Sequence, residues 1–115
     1  MIGAIDHVYY WVRDMDAAVA FYRDVLELPF VRRDGDGWAE FDAGPIRLAL
    51  HGADAPTPAS GTVVFRVPDL DAVRFALRAR GADIDDAVGE VEGFARFVTV
   101  RDPDRNPVKL IEYVR

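Results

Sequence analysis

An internal repeat is the feature of this sequence that most constrains its fold. The segment 7–17 (HVYYWVRDMDA) aligns with 62–72 (TVVFRVPDLDA) at an offset of 55, with identity at five of the eleven positions. The match includes the Asp residues of the turn as well as the apolar alternation, so duplication explains it better than chance similarity of two strand–helix junctions. The chain therefore divides into two modules, about 1–52 and 61–115, with a linker at 53–60 (ADAPTPAS) rich in Pro and small residues.

The sequence pattern of each module predicts the element order β-α-β-β-β. In the first module an alternating strand is followed by Asp14 and Asp16, either of which can cap the next helix. The helix then carries an apolar stripe at helical spacing. In the second module Phe75 is a further candidate for that stripe, and Gly81 is a plausible stop. The stripe residues are Met15, Val19, Tyr22 and Leu26 in the first helix and Leu70, Val73 and Leu77 in the second. The later strands are expected at 30–33, 38–42 and 46–51 in the first module and at 83–91, 95–101 and 108–114 in the second.

Composition indicates one globular domain spanning 1–115 and excludes several function classes. The 115 residues are 50% hydrophobic, which suits a packed core. The absence of Cys excludes a disulfide framework, a thiolate zinc site and a Cys nucleophile. A formal net charge of −6 disfavours nonspecific nucleic-acid binding, which needs cations to neutralise phosphates. With neither a membrane-length apolar run nor a basic leader, we expect a cytoplasmic protein with no membrane partner.

Three segments carry a family resemblance. They are 6–28 (DHVYYWVRDMDAAVAFYRDVLEL), 63–73 (VVFRVPDLDAV) and 100–112 (VRDPDRNPVKLIE). Together they resemble the vicinal oxygen chelate superfamily, which includes glyoxalase I, bleomycin-resistance proteins, fosfomycin-resistance transferases, methylmalonyl-CoA epimerase and extradiol dioxygenases. The resemblance implies an α+β fold whose two βαβββ modules form a curved mixed sheet with helices on the outer face. It is specific for the fold and weak for activity, because such a fold hosts many chemistries.

Strand alternation predicts which side chains point away from the helices. The aliphatic set of each strand must pack on the helices, so the alternate set lies on the other face. The resemblance implies that this second face lines a cleft, and its aromatic content would suit a flat or amphipathic small molecule. A second core or a subunit interface is the alternative role for these rings. The predicted ligand-binding residues are His7, Tyr9, Trp11, Trp38, Arg47, His51, Thr62, Phe97, Lys109 and Tyr113.

A metal site is the next property that the resemblance implies, with ligands from the first, fourth, fifth and last strands. In this sequence the corresponding positions are His7, Arg47, Thr62 and Lys109. Only His7 is a usual ligand, because cationic side chains cannot coordinate a divalent ion and would repel it. We therefore expect no metal cofactor, the alternative being zinc, nickel, manganese or iron. Glu112 could serve only through a shifted register, since its parity places it on the helix side. His51 could join His7, or it could be a polar residue at a strand end.

Three function classes remain open. The first is a metal-free binding protein that sequesters an antibiotic or aromatic metabolite, as bleomycin-resistance relatives imply, with Arg47 and Lys109 holding an anionic oxygen of the ligand. Neutralisation of these cations by Glu40 and Asp42 is the purely structural alternative. The second is a metal-dependent glyoxalase-like lyase or isomerase, an epimerase, or an extradiol-type dioxygenase. The third is a metal-independent enzyme with His7 and Glu40 as catalytic candidates. The expected partners are a small molecule and a second copy of the chain, because strand edges need cover.

Overall fold

The computed structural model describes residues 7–55 and 63–114. The chain separates into two compact units, Met1–Ala59 and Ser60–Arg115, each carrying one copy of the repeat. Part of the predicted linker (56–60) and the candidate residue Thr62 lie outside the described residues. The single-domain assignment stays a prediction, and each unit is described by itself.

Unit 1 has the β-α-β-β-β order that the sequence predicts. Its strands form one sheet in the order β1-β4-β3-β2, in which β1 runs parallel to β4 and the other neighbours are antiparallel. The elements are β1 (His7–Val12), α1 (Met15–Ala20) with a π-helical continuation (Phe21–Val25), β2 (Phe30–Asp34), β3 (Trp38–Asp42) and β4 (Arg47–Gly52).

Unit 2 repeats this arrangement with one more strand. Its sheet order is β5-β9-β8-β6, with β7 also paired to β8, and β5 runs parallel to β9. The elements are β5 (Val63–Arg66), α2 (Leu70–Ala79), β6 (Asp83–Ile84), β7 (Gly89–Val91), β8 (Ala95–Arg101) and β9 (Pro107–Tyr113). The α+β class is thus confirmed, with one mixed sheet in each unit.

The single strand expected over 83–91 is wrong, because the chain leaves the sheet between β6 and β7. Asp86 lies in this gap and is held by two arginines of α2. Arg74 donates to its backbone carbonyl at 2.6 Å, and Arg78 donates to its carboxylate at 2.6 Å. These bonds tie the segment to the helix instead of to the strand ladder.

The duplication extends to the chemistry of the helix starts. Asp14 caps α1 by accepting a hydrogen bond from the backbone N–H of Ala17 at 3.1 Å. Asp69, 55 positions later, caps α2 in the same way, accepting from Ala72 at 3.1 Å. Asp14, rather than Asp16, is therefore the cap of the first helix.

Each unit buries its core between its helix and one face of its sheet. The first helix departs from the predicted stripe because Leu26 N–H bonds to Phe21 carbonyl at 3.0 Å, five residues back. This wider turn buries both Phe21 and Tyr22, while Leu26 is only half-buried. The core residues of unit 1 include Tyr10, Val12, Met15, Val19, Phe41, Leu48 and Leu50, and those of unit 2 include Leu70, Leu77, Val98, Val100, Val108 and Leu110.

The second helix, α2, ends just before Gly81, as predicted, but Phe75 does not belong to its apolar stripe. Gly81 has φ of +80°, a conformation that glycine adopts without strain, and Ala82 N–H bonds back to Leu77 carbonyl at 3.0 Å. Phe75 does not join the core, since it is 79% exposed. It lies two residues beyond Val73 and therefore on the opposite side of the helix. In the described part of the chain, neither helix has the length and hydropathy needed to cross a membrane.

Candidate functional site

The sheet face of unit 1 that points away from its helix carries a group of aromatic side chains. This is the face that strand alternation predicts, since Tyr10 and Val12 are buried on the helix side while their neighbours are not. The strand register aligns two rows across it, Tyr9–Ala49–Glu40 and Trp11–His51–Trp38. We call the ring-bearing residues the aromatic face, and they are His7, Tyr9, Trp11, Trp38 and His51.

The rings of the aromatic face form one connected network. His51 is its centre, with ring centroids 4.2 Å from Trp11, 5.7 Å from Trp38 and 5.9 Å from Tyr9. His7 joins the other side, 5.6 Å from Trp38 and 6.2 Å from Tyr9. Tyr9 remains 46% exposed, so part of this ring surface is open to a ligand. His51 thus lies near the end of β4, as one of the sequence interpretations had it, and its ring contacts the other rings of this face.

Glu40 anchors the polar side of the aromatic face. Its carboxylate accepts hydrogen bonds from the indole N–H of Trp38 at 2.7 Å and from Arg32 at 2.6 Å. The Trp38 bond lowers the pKa of Glu40, and the charges of Arg32 and Arg47 lower it further against the opposing effect of burial. Glu40 therefore stays ionised and holds the Trp38 ring in place.

Arg47 stands at the border of the aromatic face, opposite His7 in the pairing of β1 with β4. It donates to Glu40 at 3.4 Å, a long bond, and its side chain is 46% exposed. The ion pair with Glu40 that the sequence suggested thus exists in weak form. Asp42 takes another role, accepting from the backbone N–H of Gly44 at 2.9 Å. A guanidinium has five N–H donors, so Arg47 keeps donors for an anionic group.

Unit 2 also has a helix-free sheet face, and it carries two cations over two rings. The ammonium of Lys109 lies 5.1 Å from the centroid of Phe97, and the guanidinium carbon of Arg66 lies 5.0 Å from that of Tyr113. Phe97, Lys109 and Tyr113 are thus brought to one face, as predicted. Arg66 was absent from the predicted binding residues, although its strand parity is the signal that places it there.

The residues of this chain do not fit the four-ligand metal site of the resemblance. Arg47 and Lys109 stand at two of the expected positions, and Thr62 lies outside the described residues. Glu112 faces the helix, where its carboxylate accepts the backbone N–H of Leu70 at 2.6 Å. Strands β8 and β9 pair continuously along their whole length, without the shift of register that Glu112 would need to reach the other face. Among the described residues no three His, Asp or Glu side chains gather closely enough to hold a metal ion.

Both units begin with a strand and a helix, and in both the first strand runs parallel to the last strand of the unit. Two such units in tandem define an α+β class of proteins built by duplication. The model of the Glyoxalase/Bleomycin resistance protein/Dioxygenase superfamily matches residues 4–110. The chain belongs to this superfamily.

Solved structures support the same assignment. Lactoylglutathione lyase from Agrobacterium tumefaciens is 26% identical, with a TM-score of 0.81 over 96% of this chain and 94% of that one. A glyoxalase/bleomycin resistance protein/dioxygenase from Nocardioides is 21% identical, with a TM-score of 0.80 over 100% and 86%. The fosfomycin resistance protein FosX from Listeria monocytogenes is 16% identical, with a TM-score of 0.82 over 97% and 94%. The last two likenesses show the fold alone.

Proposed function

We propose that this protein binds a planar aromatic small molecule that carries an anionic oxygen, and that the aromatic face of unit 1 receives it without a metal ion. The observation that carries the proposal is the connected ring network of five side chains on one sheet face. Offset or edge-on contact with such rings favours a flat aromatic ligand over an aliphatic one.

Arg47 supplies the charge preference of the proposed site. It borders the rings, is half-exposed, and makes only a long bond to Glu40. A guanidinium binds a carboxylate through two parallel N–H bonds, and it can also donate to the single oxygen of a phenolate. An acidic aromatic compound is therefore preferred over a basic one, which argues against bleomycin as the ligand.

Sequestration fits the polar groups of this face better than turnover does. A general acid must hold a proton at working pH, whereas the hydrogen bond from Trp38 lowers the pKa of Glu40. Glu40 is thereby unsuited to donate a proton, and His7 is left as the candidate general acid. Loss of turnover with retained binding in His7→Ala would favour the metal-independent enzyme instead.

The two Trp residues of the chain, Trp11 and Trp38, both lie on the aromatic face, so intrinsic fluorescence reports on this site. We suggest titrating the protein with 1-naphthoate, with anthraquinone-2-carboxylate and with their neutral amides. Saturable quenching by the acids is expected, with affinity reduced about tenfold in Arg47→Ala, in line with loss of one charged hydrogen bond. Arg23→Ala removes an exposed cation from the helical side and is the matched control. Equal affinity of Arg47→Ala and the parent protein, or quenching that never saturates, would refute the proposal.

A metal-dependent lyase or isomerase is the second candidate. It is favoured by the 26% identity to a lactoylglutathione lyase and by His7 at the first-strand ligand position. Calorimetric titration with zinc, nickel, manganese and iron(II) tests it. Stoichiometric binding that is lost in His7→Ala would support this enzyme over the metal-free binding protein.

The predicted homodimer and cytoplasmic location also stay proposals. Each sheet has edge strands, β1 and β2 in unit 1 and β5 in unit 2, that a second copy could cover. Sedimentation velocity at micromolar concentration tests the dimer, and a single species of 12.8 kDa would contradict it.

A further inference from the structure

The side of α2 that points away from the sheet of unit 2 combines an aromatic ring with two opposite charges. Phe75, at the centre of this side, is 79% exposed, more than any other large apolar side chain of the described residues. Exposed residues lie three and four positions before it, Ala72 and Asp71, and three and four positions after it, Arg78 and Ala79. Residues at these spacings share one side of a helix. We call these five residues the α2 outer face.

We propose that the α2 outer face joins two copies of the chain, weakly and reversibly, through an antiparallel pair of α2 helices. This contact is separate from the edges of the sheets and from the aromatic face of unit 1. It does not depend on the function proposed for the aromatic face.

The order of the charges along α2 favours a second copy of the same helix as the partner. In an antiparallel pair with a twofold axis at Phe75, position 71 of each copy lies opposite positions 78 and 79 of the other. Asp71 then meets the partner's Arg78, and Arg78 meets the partner's Asp71. A parallel pair would instead place like charges together at both ends of the contact. The α2 outer face is therefore complementary to itself in the antiparallel direction.

Both charged groups keep bonding capacity for a partner. One terminal nitrogen of Arg78 donates to the carboxylate of Asp86 at 2.6 Å and to the carbonyl of Asp85 at 3.3 Å. A guanidinium has five N–H donors, so others remain for a second carboxylate. Asp71 accepts from Arg96 at 3.0 and 3.3 Å, and an ionised carboxylate has about four lone-pair sites. The hydrogen bond from Arg96 lowers the pKa of Asp71, which keeps this carboxylate charged.

The shape of this surface has room for the ring of a partner. A groove of about 530 Å³ is lined by Asp71, Arg74, Phe75, Arg78 and Ala79. Arg74 is held in the wall of this groove because it donates to the carbonyl of Asp86 at 2.6 Å. Ala79 carries only a methyl group, so another helix can approach closely at this end. The partner's Phe75 can therefore enter the groove, and the twofold axis repeats the contact.

The size of the α2 outer face indicates a weak contact. The helix has ten residues and is about 15 Å long, and Phe75 is the one large apolar side chain of this face. Interfaces that bury less than about 1,200 Å² in total belong to weak and transient complexes. We therefore expect the contact to form toward millimolar concentration. Unfolding measured at micromolar concentration then reports on copies that this contact does not join.

Sedimentation equilibrium from micromolar to millimolar concentration measures the association. We expect the average mass to rise toward twice its micromolar value. Phe75→Ala should weaken the association roughly tenfold or more, because aromatic anchors carry much of the energy of an interface. Val91→Ala is the matched control, since it truncates another exposed apolar side chain of unit 2, and it should leave the association unchanged.

Exchange of the two charges tests the direction of the pair. Asp71→Arg alone, or Arg78→Asp alone, places like charges at both ends of the contact, so each variant should lose the association. An equimolar mixture of these two variants restores opposite charges at both ends and should recover it. Effects confined to one copy cannot produce recovery on mixing. The mixture therefore separates a contact between copies from a structural role of Asp71 or Arg78 within one copy.

Introduced cysteines give a second test of direction, because the chain contains none of its own. Ala72→Cys and Ala79→Cys proteins would be mixed under mild oxidation at millimolar concentration. The antiparallel pair brings position 72 of one copy to position 79 of the other, so the disulfide between the two variants should exceed the disulfides within each. Glu92→Cys, in an exposed turn, is the control and should form disulfides only at the rate of random collision.

Three results would overturn the proposal: an average mass that stays constant to millimolar concentration, no recovery in the mixture of folded charge variants, or equal yields of the three disulfides. Circular dichroism establishes that each variant is folded, and the disulfide yields decide the question if a charge variant is not. A dimer that is already complete at micromolar concentration and persists in Phe75→Ala would belong to the strand edges. Phe75→Ala should also leave the tryptophan titration of the aromatic face unchanged, so the proposals fail separately.

Discussion

Glu112 and Leu70 are 42 residues apart in the chain, yet a 2.6 Å hydrogen bond joins the carboxylate of Glu112 to the backbone N–H of Leu70. Leu70 is the first residue of α2, where backbone N–H groups lack partners within the helix. A negative charge is also favoured at this end of the helix dipole. The bond explains why the carboxylate of the last strand serves the helix rather than the open face of the sheet.

Replacement of Glu112 should therefore lower stability. Glu112→Ala removes the acceptor and the favourable charge, and we expect the free energy of unfolding to fall by about 1–2 kcal/mol. Urea denaturation followed by circular dichroism measures the change. Glu112→Gln, which keeps an acceptor, should lose less, and Glu90→Ala in β7 is an exposed control. A Glu112→Ala variant as stable as the parent would contradict this role of the bond.

Acid stability should depend on Glu40. Its pKa in the folded protein is lowered from the ordinary value of 4.5, chiefly by the hydrogen bond from Trp38. The folded state thus binds this proton less readily than the unfolded chain does. Its stabilising contribution is complete above pH 4.5 and is lost as the pH falls through the lowered folded value.

Urea denaturation at pH 7 and pH 3.5 tests this dependence. Glu40→Gln should be less stable than the parent at pH 7, and the difference should shrink at pH 3.5. Glu92→Gln, in an exposed turn, should track the parent at both values. An unchanged difference at the two pH values would show that the charge of Glu40 is not what stabilises the fold.

Gly89 should not tolerate a side chain. The Cβ of Gly89→Ala would clash with the ring of Phe97, so the ring must move. We expect the free energy of unfolding to fall by about 1–3 kcal/mol, which is typical of overpacking. Gly37→Ala is the control, since its nearest neighbour would be 3.9 Å away. Urea denaturation measures the change, and a Gly89→Ala variant as stable as the parent would contradict this close packing of the Phe97 ring.

The two sides of α2 should respond very differently to truncation. Leu77 is 3% exposed and Phe75 is 79% exposed. Leu77→Ala should cost about 2–5 kcal/mol through the cavity it leaves, whereas Phe75→Ala should change stability by less than about 0.5 kcal/mol. Thermal and urea unfolding compare them directly. A large loss in Phe75→Ala would mean that this side of the helix is covered in solution.

Much of the fold could be read from local chemistry. The repeat placed Asp14 and Asp69 at equivalent turns, and each caps a helix because a short carboxylate reaches the N–H three residues on. Alternation likewise placed Tyr9 and Trp11 on the face opposite Tyr10. Because side chains alternate along a strand, only two orientations of the strand relative to the helix are possible. The strand adopts the orientation that buries its aliphatic side chains.

Other features depend on partners that lie far away in the chain. The interruption of the strand at Asp86 depends on hydrogen bonds from Arg74 and Arg78 of α2. The residues of the segment 83–91 do not by themselves predict it. Strand alternation places Arg66 on the face away from the helix, but only the tertiary structure gives its ring partner, Tyr113.

Sequence alone thus told which side chains share a face, because period and capping follow from neighbouring residues. The tertiary structure determines which of those side chains contact one another. A charge such as that of Arg66 or Glu112 can be satisfied by a carboxylate, a ring or a helix end. The choice follows from which group the strand register brings within a few ångströms, and no local pattern encodes that distance.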